Sequence, residues 1–279
     1  MPELPEVETI RALLAGKVRG RTISTVTARA GGRVFRDTVP TAKLKRALAG
    51  RRIEGVGRRG KYLLFALDSG DFLVIHLGMT GALYLIKPGE TAPAHTHLRL
   101  VLDPAHGGAD LVFVDPRTFG RVMLVPAGKL DELPALRSLG PEPLDDSFTP
   151  EVLADGLKGR KAPLKTLLLS QKPVAGLGNI YADEVCFRAK INPLRPAGSL
   201  RPAEGIALHQ AIREVLAESI SCKGTTIRDY RWDQGKSGEF ACRLQVYGHA
   251  GEKCPRCGKT IGRVVLGGRS THFCGWCQK

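Results

Sequence analysis

The sequence has no run of eighteen apolar residues, and this excludes a membrane-spanning helix. Its N-terminus has no basic region leading into an apolar stretch, so no secretory signal is expected. There is no internal repeat and no low-complexity tract, which excludes solenoids and compositionally disordered tails. Acid is scarce. Twenty-seven Asp and Glu stand against 42 Lys and Arg, for a formal net charge of +15. Between Lys17 and Lys61 fourteen basic residues meet only Asp37 and Glu54. A field of that sign attracts polyanions. Nucleic acid is the first partner to consider and an anionic membrane surface the second. A membrane surface calls for an amphipathic basic helix. These charges lie instead among Gly, Pro and β-branched residues, which favours nucleic acid. Seven cysteines are present without a disulfide framework. Four form two Cys-x2-Cys pairs, while Cys186, Cys222 and Cys242 are scattered, as in a reducing compartment. A soluble intracellular protein is expected.

At 279 residues the chain is long for one core. Residues 1–130 read mostly as β structure. Tyr62–Leu67 and Phe72–Leu77 flank the turn Asp68-Ser69-Gly70, and strand-like runs follow at Ala82–Ile86, Leu98–Leu102, Leu111–Val114 and Val122–Val125. Two helices interrupt them. One starts at Pro5 and is expected to end at Gly16; the other covers Thr41–Ala49. Residues 131–150, rich in Pro and Asp, read as a linker or hinge. Helical spacing then appears at Pro150–Leu157, Leu164–Gln171, Ile180–Ala189 and Ala203–Ile220, with Leu208, Ile212, Val215 and Leu216 as one core stripe. The chain turns β-like again near Gly235. The expected organisation is α+β and multidomain: 1–130 a β-sandwich, 131–150 a hinge, 151–234 a helical domain and 235–279 a β-hairpin.

The strongest motif is CPRCGKTIGRVVLGGRSTHFCGWC. Cys254-x2-Cys257, sixteen residues, then Cys274-x2-Cys277 is the spacing of a tetrahedral four-thiolate zinc site. Four thiolates leave no open coordination position, so one structural Zn2+ is expected; His272 is a spare candidate ligand. Thr260–Leu266 and Ser270–Phe273 read as strands around Gly267-Gly268. This stretch carries Arg256, Lys259, Arg263 and Arg269 and no acid, and Arg269 at the turn can reach a phosphate.

In PVAGLGNIYADE, Gly176 and Gly178 loosen a turn and Asn179 suits an N-cap. Free N–H groups at such a helix start bind phosphates, and Lys161, Lys165 and Lys172 are near in sequence. Read bare, the motif is more often a simple helical joint. Met79 in HLGMTG and Phe119 in DPRTFG are, on the same terms, more often core than wedges entering a base stack.

The chain opens MPELPEVET. Removal of the initiator Met would leave Pro2 as a free secondary amine, partly neutral near pH 7 because an α-amine titrates at about 7.7–8.0. A neutral amine attacks electrophilic sugar carbons, and a secondary one yields an iminium with a fixed positive charge. Glu3 and Glu6 supply carboxylates for proton transfer. A Met-Pro start before a helix is also common without any catalysis.

Taken in order, MPELPEVET, RRGKYLL, HLGMTG, DPRTFG, LGPEPL, GLGNIYADE, LQVYGHAGEKC and the closing Cys pairs resemble the formamidopyrimidine-DNA glycosylase family of bacterial repair enzymes, end to end. The resemblance implies a β-sandwich with two helices, a helical domain with a helix–two-turns–helix element, and a zinc hairpin, with damaged double-stranded DNA between the domains and the lesion flipped out. It implies removal of oxidised purines such as 8-oxoguanine, followed by strand cleavage through a Schiff base on Pro2. Glu3 becomes the general acid/base, Lys61 a cleft lysine near the lesion phosphates, and Arg269 a DNA contact tied to the second elimination. Met79, Arg117 and Phe119 become the residues that fill the hole. His95, Lys161, Lys165 and Asn179 become DNA contacts. A monomer associated with the bacterial nucleoid is expected, with no cofactor besides zinc.

The sequence departs from the family pattern twice. Thr118 stands where some members carry a second basic residue, and SCKGTTIRDY, with Cys222 and Lys223, occupies the segment that covers the flipped base. Two alternatives remain at this level. One is the endonuclease VIII type, for oxidised pyrimidines, against which the leucine of PELPE and the Met79/Arg117/Phe119 set argue. The other is a zinc-hairpin DNA-binding protein without catalysis, which leaves the Pro2-Glu3 start and Lys61 unexplained.

Overall fold

The computed structural model describes residues 2–103, 108–225 and 238–279. It divides into two units, Met1–Arg137 with Lys223–Glu239, and Ser138–Cys222 with Phe240–Lys279.

The first unit begins with helix α1 (Leu4–Val18). Leu4, Val7, Ile10, Leu14 and Val18 recur at helical spacing and are buried. Gly16 does not end this helix, contrary to the sequence expectation. A glycine costs a helix about 1 kcal/mol relative to alanine, and burying Val18 completely contributes more than that. Strand β1 (Ile23–Ala28), helix α2 (Thr41–Leu48) and strands β2 (Ile53–Arg59), β3 (Tyr62–Leu67), β4 (Phe72–His76), β5 (Ala82–Ile86), β6 (Thr96–Leu102), β7 (Ala109–Val114) and β8 (Arg121–Val125) follow. All pairs are antiparallel and form two four-stranded sheets, ordered β1-β6-β7-β5 and β2-β3-β4-β8.

Alternation along β3 buries Leu63, Phe65 and Leu67 while their neighbours stay half-buried. These side chains share one core with Leu98 and Leu100 of β6, Phe113 of β7, and α1 and α2. The fold is therefore the expected β-sandwich with two helices. Strands β1 and β2 escaped the sequence reading. Each lies at one edge of its sheet, and their sequences, ISTVTA and IEGVGRR, carry polar residues or glycines where a central strand would be apolar.

Helix α3 (Pro134–Arg137) closes the first unit. The second holds α4 (Pro150–Leu157), α5 (Leu164–Leu169), α6 (Asn179–Arg188), α7 (Pro202–Ser221) and the hairpin β9 (Gly262–Leu266) and β10 (Arg269–Phe273). The stripe Leu208, Ile212, Val215 and Leu216 on α7 is buried as its spacing predicts. Residues 138–149 pack on this unit. Phe148 is buried against the His209 ring, and Arg213 donates to the carbonyls of Pro143 and Asp145. Among the described residues no helix is long and apolar enough to cross a membrane.

Candidate active site and nucleic-acid interface

The N-terminal proline and glutamate sit at the head of α1. Pro2 is buried and Glu3 is only 1% exposed. Glu3 occupies the N-cap, and its N–H donates to Glu6 Oε2 at 2.8 Å. The other Glu6 oxygen accepts the N–H of Thr225 at 2.7 Å. One carboxylate thus fixes the backbone at Glu3 and the point where the chain emerging from α7 returns to the first unit. Gly224 permits that approach. It has φ +80°, and a Cβ there would lie 2.6 Å from Glu6 Oε1. Residues 226–230 of the SCKGTTIRDY segment, and Met1, lie outside the described residues.

Lys61 follows Gly60 (φ +53°) in the β2–β3 turn and is 8% exposed. Arg58 holds this turn to α1, donating to Glu8 Oε2 at 2.9 Å and to the Gly60 carbonyl at 3.0 Å. His76 is charge-coupled to Lys61. Burial first, then the positive charges of Lys61 and Arg121, hold its imidazole down to about 4, so it is neutral at physiological pH. Its Nδ1 accepts the Gly78 N–H at 3.1 Å.

The Met79 and Phe119 loops touch. A Cβ on Gly78 would lie 2.6 Å from the Gly120 nitrogen, so only glycine permits the contact. Asp115, fully buried, ties the two loops. Its Oδ1 accepts from the Thr80 hydroxyl at 2.6 Å and the Arg117 N–H at 3.3 Å, and its Oδ2 from the Gly120 N–H at 2.7 Å. The Asp115 N–H donates to the His95 carbonyl at 3.1 Å, which brings His95 to the same cluster. Phe119 is 43% exposed, with the Arg117 guanidinium 4.8 Å from its ring centre. Met79 is half-buried. The core reading of Phe119 does not hold, because its turn projects it outward. Thr118 adopts φ +56°, a conformation that a β-branched residue rarely takes.

In the second unit Lys161 is exposed, but Lys165 is not where a DNA contact would be. It is fully buried, its Nζ 2.7 Å from Asp183 Oδ1 and 2.7 Å from the Ser270 carbonyl. The apolar face of the short helix α5 turns it inward, and a partnered ammonium without exposed surface cannot reach a phosphate. Asp183 Oδ2 takes the backbone N–H of His272 at 2.9 Å and faces His272 Nδ1 at 3.1 Å. His272 is not among the ligand atoms that cluster for a metal, so it is not the spare zinc ligand. Asn179 is the first residue of α6 rather than its cap, which is Gly178. Its Nδ2 donates to the Ser270 hydroxyl at 3.4 Å. Gln171 shapes the preceding turn, accepting from the Gly176 N–H at 2.8 Å and donating to the Leu177 carbonyl at 2.6 Å. Arg269 is exposed beside the two-residue turn Gly267 (φ +54°) and Gly268 (φ +74°). The structure thus joins Asn179 to the hairpin that carries Arg269 directly at Ser270, beside the contacts that Lys165 and Asp183 make to the same strand.

The four cysteine sulfurs lie within 4.8 Å of one another. Cys254 Sγ is 3.9 Å from Cys277 Sγ, and Cys257 Sγ is 3.6 Å from Cys274 Sγ. Zn–S bonds of about 2.3 Å in a tetrahedron place sulfurs roughly 3.8 Å apart, so the residues fit one zinc with no open position. Phe187, Val246 and Ile261 pack around the cluster. Glu184, also buried, accepts three N–H groups, from Gln245, Val246 and Tyr247, and so pins the approach to the zinc segment onto α6. Burial pushes its pKa up, against those three donors.

Family models match the chain in three stretches. They are the formamidopyrimidine-DNA glycosylase N-terminal domain at residues 1–122, its H2TH domain at 139–231, and a zinc finger found in FPG and IleRS at 251–279. The chain belongs to the formamidopyrimidine-DNA glycosylase family. Relatives of that name include one from Thermus thermophilus, 49% identical over 281 residues and covering 100% of this chain and 98% of its own length. Another, from Chloroflexus aggregans, is 46% identical over 278 residues with the same coverage. Among solved structures, the Thermus thermophilus Fpg protein aligns with a TM-score of 0.88 at 47% identity, covering 99% of this chain and 98% of that one. A Lactococcus lactis Fpg variant in complex with a Fapy-dG containing DNA aligns at 0.92 and 36% identity, covering both chains fully.

For this glycosylase-family chain, sequence reasoning missed Asp115, His76, Asp183 and Glu184. Only Asp115 left a signal. An Asp preceding Pro in DPRTFG is the start of a side-chain-closed turn. The others act by burial and partnership across long sequence separations, which no local pattern carries.

Proposed function

We propose that this chain is a base-excision-repair enzyme that removes oxidised purines from double-stranded DNA and cuts the strand at the abasic site. The observation that carries the reading is the head of α1: Pro2 and Glu3 buried together, with the Glu3 backbone clamped by Glu6. Family membership and the relatives solved with lesion-containing DNA support it.

Removal of Met1 makes the Pro2 nitrogen an amine, which attacks C1′ of the damaged nucleotide. The C1′–N bond to the base breaks, and the departing base gains a proton. Ring opening leaves an iminium between Pro2 and C1′, with the ring oxygen taking a proton and the nitrogen carrying none. Its fixed positive charge acidifies the C2′ hydrogens. Loss of one proton expels the 3′ phosphate, and a second elimination expels the 5′ phosphate, leaving a gap with a phosphate on each side. Glu3 carries protons to and from the sugar, and Lys61 lies beside the lesion phosphates. The zinc, closed by four thiolates, holds the hairpin that presents Arg269. His95, Arg117, Lys161 and Asn179 contact the DNA backbone or the orphaned base, while Met79 and Phe119 fill the vacated space. In this reading the protein acts as a monomer on the bacterial chromosome.

Borohydride trapping tests the reading. The protein with Met1 removed should become covalently fixed to an 8-oxoguanine duplex, and more readily than to a thymine-glycol duplex. With its terminus acetylated, it should bind the lesion but neither trap nor cut it. Normal cutting by a verified blocked terminus would sink the mechanism, and preference for thymine glycol would favour the endonuclease VIII type.

A further inference from the structure

Trp276 lies between the zinc-site cysteines Cys274 and Cys277, and 64% of its surface faces solvent. No role proposed above uses it. A single exposed apolar residue is ordinary on a protein surface; what sets Trp276 apart is the charge around it. Two ammonium groups lie over the ring in cation–π contact. Lys279 Nζ is 5.2 Å and Lys259 Nζ 5.6 Å from its centre.

The mount is rigid. Gln278 donates from its backbone to the Cys274 carbonyl at 3.0 Å, accepts the Cys274 N–H on its side chain at 2.8 Å, and donates to the Ile191 carbonyl at 3.0 Å. The Lys279 backbone is held by the Lys190 carbonyl at 3.2 Å, the Asn192 N–H at 3.0 Å and the Arg195 guanidinium at 2.9 Å. An aromatic plate held by its neighbours on both sides loses little entropy when a ligand covers it.

The surroundings select an anion. Residues 253–279 contain Lys253, Arg256, Lys259, Arg263, Arg269 and Lys279 and no acid. The nearest preceding acid, Glu252, is paired with His249 at 2.9 Å. A flat base that displaces one of these ammonium groups stacks on the ring, and the freed charges then meet the phosphates on either side of it. The faces of paired bases are hidden in the duplex stack, so the base must be unpaired. The site is also separate from the hairpin turn. Strand β10 alone spans roughly 13 Å from Arg269 to Phe273, and Trp276 lies beyond it in the chain.

We propose that Trp276, with Lys259 and Lys279, is a stacking site for an unpaired base of a DNA strand, distinct from the lesion interface. It rests on the proposed function only in taking DNA as the ligand.

The test uses the full zinc-loaded chain with Trp232→Phe, which leaves Trp276 as the one tryptophan of the two in the sequence. Oligo(dT) should quench its emission. A lesion duplex bearing a tail of ten deoxythymidines should bind at least about fivefold more tightly than the same duplex with blunt ends, the lower end of what one base–aromatic stack contributes. Trp276→Ala should abolish that difference and leave blunt-duplex binding unchanged, while Trp276→Tyr should retain it. The pair Lys259→Ala with Lys279→Ala should reduce it with the ring in place, which keeps the proposal testable if Trp276→Ala loses zinc.

An equal tail effect in Trp276→Ala with full zinc content would overturn the proposal. So would equal quenching by a polyglutamate peptide, which would show that charge alone is read. An emission change with protein concentration in the absence of DNA would assign the face to a second copy of the chain. If the blunt lesion duplex fails to bind at all, the proposed function falls, while oligo(dT) quenching still reports on this site.

Discussion

The Lys165 ammonium lies 2.7 Å from the Asp183 carboxylate, and neither side chain has exposed surface. This pair joins α5 to α6, and through the Ser270 carbonyl and the His272 N–H it joins both to β10. The hairpin that carries Arg269 is therefore seated by a buried charge pair as well as by its zinc. Lys165→Ala leaves Asp183 buried without its cation and should destabilise the protein by about 3–5 kcal/mol. Lesion-DNA binding should weaken, but the slope of log K against log salt should stay unchanged, because Lys165 releases no counterion. Lys161→Ala should instead lower that slope by about 0.9. Salt titrations of the two variants check this. A reduced slope in the Lys165 variant would mean that it reaches a phosphate.

Asp115 should matter more than its position suggests. Asp115→Asn turns a donor toward either the Gly120 N–H or the Thr80 and Arg117 donors, and an unsatisfied buried donor costs about 1–3 kcal/mol. The Met79 and Phe119 loops should then separate. Lesion excision should fall while excision from a lesion opposite no base, where nothing must be filled, falls less. Equal losses on both substrates would show that Asp115 serves only stability.

His76 gives the protein a pH dependence of known sign. Its imidazole titrates at about 4 when folded against 6.5 when free. Above pH 6.5 it is neutral in both states. As pH falls from 6.5 toward 4 only the unfolded chain takes up the proton, so stability is lost across that window. Between pH 7 and pH 5 this amounts to about 2 kcal/mol. Urea denaturation at the two pH values should show a smaller loss in His76→Gln by that amount. An equal loss would place the titration elsewhere.

Removal of zinc should uncouple binding from the first unit's fold. Cys257→Ala breaks the four-thiolate set, so the hairpin and Arg269 lose their fixed position. Lesion binding should be abolished while the β-sandwich keeps its far-UV dichroism. Full binding by a verified zinc-free variant would exclude a structural role for the metal in recognition.

The sequence by itself determined whatever repeats locally or at fixed spacing. The Cys254–Cys277 pattern, the strands of the hairpin Tyr62–His76 and the stripe on α7 were all legible. Each depends on short-range geometry: ligand spacing, period two or period 3.6. Tertiary structure alone decided which charged residues are used as surface and which as interior. Lys165 and Lys161 look alike in the chain, yet only Lys161 faces solvent, because α5 turns its fourth-following neighbour toward Asp183. Phe119 looks like core and projects outward, because Asp115 closes its turn onto Gly78. Gly16 looks like a helix end and is not one, because Val18 has a core to enter. In each case the deciding term is burial against a partner distant in sequence, and that partner is fixed only once the sheets and helices have packed.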